Sequence, residues 1–83
     1  MITLENLLKK LVKNRNKDDL HSAVCYFKTG VRRIPYIRIA HIYANYNKSL
    51  MVILIDEDKT VDCSTIAEVL EIFKDDELVR YET

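Results

Sequence analysis

The chain has one glycine, one proline, two cysteines and no uninterrupted apolar run longer than six residues. Each shortage excludes something. A single glycine, Gly30, leaves no glycine-rich phosphate cradle, no dinucleotide fingerprint and no nucleophile elbow. Two cysteines allow at most one bridge, which rules out a disulfide-stapled scaffold. The longest apolar run, Leu50 to Ile55, is far short of the roughly 20 residues that cross a bilayer as a helix. Acidic residues are missing altogether between Asp19 and Asp56.

What is present describes one small domain, residues 1–83. A hydrophobic content of 48% is enough for a core, and 31% charged residues is ordinary for a globular chain. A chain this short hides only about 60% of its unfolded surface, so its stability margin is thin. The start, Met1-Ile2-Thr3-Leu4-Glu5, has no basic flank ahead of an apolar stretch and does not read as a secretory signal. With two thiols and no export signal, the expected location is the cytoplasm.

The net charge of zero conceals a division. Residues 1–50 hold ten Lys/Arg against three Asp/Glu, a net +7; residues 51–83 hold three against ten, a net −7. Such asymmetry arises when two halves fold against each other and neutralise, or when one half presents a binding surface.

Periodicity sets out the elements. Leu4, Leu7, Leu8, Leu11 and Val12 make one helical stripe, with Thr3 as N-cap and lysines gathered at the far end. The segment 20–28 fits a helical stripe through Leu20, Val24 and Phe27. It fits a buried strand through Val24, Cys25, Tyr26 and Phe27 as well, and branched and aromatic enrichment favours the strand. Residues 34–45 read as a strand with Ile37, Ile39, His41 and Tyr43 on one face and Arg38, Ala40, Ile42 and Ala44 on the other. Pro35 belongs near its start. Leu50 to Ile55 is a strand apolar on both faces, followed by a charged turn and a short extended piece at 61–63. Thr65-Ile66-Ala67-Glu68 has the capping-box form and opens a second helix whose buried face is Ile66, Val69, Leu70 and Phe73. The last six residues carry no clear signal. The expected fold is α+β, in the order α-β-β-β-α. An antiparallel sheet of three to four strands is covered on one face by both helices.

Candidate chemistry is sparse. His21, Cys25, His41 and Cys63 could supply two nitrogens and two sulfurs to zinc, but their spacing fits no known finger and the expected reading is no metal. Asp56, Glu57, Asp58 and Asp62 lack the loop length and glycine of a calcium hand. No residue near either cysteine suggests a depressed thiol pKa. The expectation is therefore a protein that is not an enzyme, with no cofactor, no small-molecule substrate and no membrane association.

Two binding readings remain. The favoured one is a protein-protein interaction module, a regulator or inhibitor of a larger protein in the manner of a viral or mobile-element accessory protein. A strand apolar on both faces needs two covers, and two helices supply one. On this reading Ala40, Ile42, Ala44, Val52 and Leu54 form the uncovered apolar anchor, with Lys9, Lys13, Arg32, Arg33 and Arg38 steering the partner. Self-association as a homodimer is part of this reading. The alternative is a nucleic-acid-binding protein using the basic residues between 9 and 38, with Tyr26, Tyr36 and Tyr46 available to stack on bases. The expected element order is also that of double-stranded-RNA-binding domains, an analogy of fold alone. Those domains carry lysines at the start of the second helix; here Thr65, Glu68 and Glu71 stand there.

Overall fold

The computed structural model describes residues 2–15, 21–30, 36–46 and 49–83, and all structural statements concern these. The elements are α1 (Leu4–Lys13), β1 (Ser22–Thr29), β2 (Ile37–Ala44), β3 (Leu50–Leu54), a 3₁₀ turn (Ile55–Glu57), β4 (Lys59–Cys63), α2 (Ile66–Ile72) and β5 (Asp76–Glu82). All pairings are antiparallel, and the spatial order is β4-β3-β2-β1-β5. The α+β class is as expected. The strand count is not: there are five strands in the order α-β-β-β-β-α-β. Residues 22–29 are strand, and the final residues form β5 beside β1. The place expected for Pro35 lies outside the described residues.

Local chemistry explains the element boundaries. The Thr3 hydroxyl accepts from the Asn6 amide and caps α1. At α2 the Thr65 hydroxyl accepts from the Glu68 amide, while the Glu68 carboxylate reaches back to the Ser64 amide. This is the capping box with its return bond one residue early. Asp58 closes the β3–β4 connection in the left-handed region, where a short polar side chain is tolerated. Gly30 stands where a Cβ would come within 2.5 Å of the Asp75 carbonyl oxygen, to which the Gly30 amide donates at 2.9 Å. That close approach ties the end of β1 to the turn before β5 and requires the absence of a side chain.

One face of the sheet carries the core. Ala23, Cys25 and Phe27 of β1, Ala40, Ile42 and Ala44 of β2, Leu50, Val52 and Leu54 of β3, and Cys63 of β4 all point to this side. There they meet Leu7, Leu8 and Leu11 of α1 and Val69 of α2. Small residues at 23, 40 and 44 let the helices come close to the strands. Phe73, just past α2, stacks on Phe27 with ring centroids 4.0 Å apart.

Arg38 joins the oppositely charged halves of the chain. From β2 its guanidinium forms paired bonds to Glu57, at 2.7 and 3.1 Å, and one to Asp76 at 2.9 Å. It also donates to the Ile72 carbonyl at 3.4 Å and lies over the Phe73 ring. The last turn of α2 contains no basic residue of its own. Arg38 therefore supplies the positive charge that suits a helix C-terminus.

Candidate functional site: the open face of the sheet

The side chains expected to form the uncovered anchor are the covered ones. Ala40, Ile42, Ala44, Val52 and Leu54 lie beneath the helices, and Val52 and Leu54 are only 0% and 2% exposed. The expectation that they face outward is thus overturned. Arg38 is not free to steer a partner either, being committed to Glu57 and Asp76. Lys9 and Lys13 are exposed on α1, and Lys9 is bridged to Glu5 at 3.0 Å. Arg32 and Arg33 lie outside the described residues, as does Lys17.

The opposite face has no helix on it among the described residues. Strand register arranges its side chains in rows. Asp62, Met51, Tyr43 and Ser22 form one row; Thr60, Ile53, His41, Val24 and Glu82 the next; Ile39, Tyr26 and Arg80 a third. Lys28 stands beside Ile37 on one side and Glu77 on the other at the end of the sheet. Val24, Tyr26, Ile39, His41, Tyr43, Met51 and Ile53 are half-buried, and Ile37 is exposed. The centre of this face is apolar and its edges are polar, which is the anatomy of a protein interface.

Two local pairs rigidify the face. The His41 and Tyr43 rings lie 4.1 Å apart, and Tyr43 Oη shares a 3.0 Å hydrogen bond with His41 Nδ1. Arg80 lies 3.8 Å over the Tyr26 ring and bonds Glu82 at 2.6 Å. Rigid aromatic groups lose little side-chain entropy on binding, which favours them at contact surfaces.

Burial lowers the pKa of His41 from its ordinary 6.5. The unfolded chain takes up this proton at higher pH than the folded chain does. Stability therefore falls as pH drops below about 6.5, and the loss is complete once folded His41 titrates. Urea unfolding of wild type and His41→Gln at pH 7.5, 6.5 and 5.5 checks this. The wild type is expected to lose more stability on acidification than the variant; equal losses would contradict it.

The remaining candidates do not converge. Cys25 and Cys63 point into the core while His41 is on the opposite face, so the four possible zinc ligands cannot meet across the sheet. No group of three or more His, Cys, Asp or Glu that could hold a metal occurs among the described residues. Burial pushes the Cys25 thiol up to about 12. Cys63 is raised too, first by burial and then by the charges of Glu68 and Asp62. Both thiols are therefore protonated and poorly nucleophilic at neutral pH. A disulfide-exchange reagent at pH 8 is expected to find no fast-reacting thiol in the native protein and two after denaturation. A rapidly labelled native cysteine would overturn this assignment.

Among the described residues the basic side chains do not gather on one surface. Lys9, Lys10 and Lys13 belong to α1, Lys28 sits on the open face, and Arg38 is sequestered. No helix among the described residues is long and apolar enough to cross a membrane. No protein-family model, no curated protein and no solved structure matches this chain.

Proposed function

We propose that the protein is a small non-catalytic interaction module that regulates or inhibits a larger protein by seating the open face of its sheet upon it. The observation that carries this reading is the half-buried apolar patch of Val24, Ile39, Met51 and Ile53, set among Tyr26, His41 and Tyr43 and bordered by charge. A patch of this composition, on a side where no described helix lies, favours burial against another macromolecule. The two protonated core thiols suit a reducing, cytoplasmic setting and give no support to a thiol enzyme. The mechanism is steric: a rigid sheet occupies a surface that the larger protein needs, and the charged margin sets orientation.

Chemical cross-linking in the native cell, followed by mass spectrometry, tests this. Cross-links from one larger protein should cluster around the open face, persist after nuclease treatment and vanish in Ile39→Lys. Loss of all capture on nuclease treatment would replace this reading with the nucleic-acid one. Cross-links confined to the helical side would refute it outright.

A further inference from the structure

We infer that, in the absence of its larger partner, the open face is closed by a second copy of this chain in a twofold, sheet-on-sheet homodimer. The inference rests on the proposed use of that face and names its resting occupant.

Five strands about 4.8 Å apart and about 3.4 Å of rise per residue over some seven residues give a face of about 24 × 24 Å. That is about 570 Å² in projection before side-chain relief is added, about seven-tenths of the ~800 Å² per partner of a standard interface. The chain's net charge is zero, so two copies approach without overall repulsion.

The sheet edges offer a poorer route to self-association. In β5 the register with β1 slips between Tyr26 and Phe27, whose partners are Arg80 and Leu78, so Val79 is an extra, bulged residue. A bulge bends an edge strand away from further pairing. On the other side β4 has five residues and carries Lys59 and Asp62, charges that discourage strand addition.

Charge placement favours a second copy over an unrelated surface. Asp62, at a corner on β4, and Arg80, in the middle of the β5 row between Glu82 and Glu77, lie on one diagonal of the face, with His41 midway between them. A twofold axis in the interface, perpendicular to this diagonal and passing by His41, exchanges the two positions. Each Asp62 then comes over the Arg80 of the other copy, and the apolar centres coincide. Arg80 also bridges Glu82 at 2.6 Å, with Lys28 and Glu77 beside it, so Asp62 of the second copy shares this exposed guanidinium with Glu82. Exchange of identical patches is what a closed twofold interface requires. Sheets packed at a steep angle in this way are a known mode of face-to-face association. The larger protein then competes with the second copy for one surface.

Sedimentation equilibrium over a hundredfold range of concentration tests the dimer. The wild type should approach twice its 9.8 kDa mass. Ile53→Lys, shown to be folded by circular dichroism, should remain at the single-chain mass. Asp62→Arg and Arg80→Asp should each raise the dimer dissociation constant about tenfold, and the double variant should recover most of that loss. A wild type that stays monomeric to millimolar concentration would overturn the inference, as would an Ile53→Lys protein that still dimerises. A double variant no tighter than the singles would overturn the twofold register. A monomer that still captures a larger protein through the open face refutes the dimer and leaves the proposed function standing. A dimer whose dissociated chains capture nothing does the reverse.

Discussion

Val52→Lys is expected to abolish folding, whereas Ile53→Lys, one residue further along the same strand, is expected to leave a folded protein. Val52 is 0% exposed in β3 and lies between Ile42 and Val61. An ammonium placed there loses its hydration and meets no counter-ion among its apolar neighbours. The cost is about 4 kcal/mol or more, and a domain of this length holds only about 4–12 kcal/mol of stability. Ile53 is half-buried on the other face, between His41 and Thr60, where a lysine chain can lay its methylenes on the sheet and bring its charge to water. The expected change is about 1 kcal/mol or less. Far-ultraviolet circular dichroism and urea titration of both proteins decide between these outcomes. If both unfold, or if Val52→Lys folds normally, the assignment of the two faces is wrong.

Arg38→Met is expected to cost about 3 kcal/mol, the range seen when one member of a buried ion pair is removed. Asp76, whose side chain is 5% exposed, would keep its desolvation and lose the cation that offsets it. Glu57 is 39% exposed, so Glu57→Gln should cost under about 1 kcal/mol. A drop of about 3 kcal/mol in a chain of this size lowers the melting temperature by about 12–24 °C. Thermal melts of Arg38→Met, Glu57→Gln and the Arg38→Met/Asp76→Leu pair separate the contributions. The double variant should recover part of the loss, because no charge is then left buried alone. Equal effects from Arg38→Met and Glu57→Gln would show that the bridge to Asp76 carries no special weight.

Much of the fold was legible from local pattern. The stripe of α1, the alternation of β2 and the cap at Thr65 depend on neighbours within a few residues, and all three occur in the structure. β5 was hidden for a physical reason. Its inward residues, Leu78 and Tyr81, are three apart because Val79 is bulged, so the period of two that marks a strand is broken. The open face was misassigned because β3 is apolar on both sides, and its own pattern does not distinguish the covered side from the bare one. The useful signal was in β1 and β2. Tyr26, Lys28, His41 and Tyr43 carry polar tips that need water or a partner, and all four lie on the face that ends up open.

The sequence by itself determined most of the secondary elements and the existence of two apolar surfaces on one sheet, because both follow from side-chain periods of 3.6 and 2 along a single helix or strand. Only the tertiary structure decided which surface the helices cover and where Arg38 spends its charge. Those outcomes depend on packing and on partners far along the chain, 38 residues away for Arg38 and Asp76 and as many as 58 in the pairing of β1 with β5, and no local pattern encodes contacts at that separation.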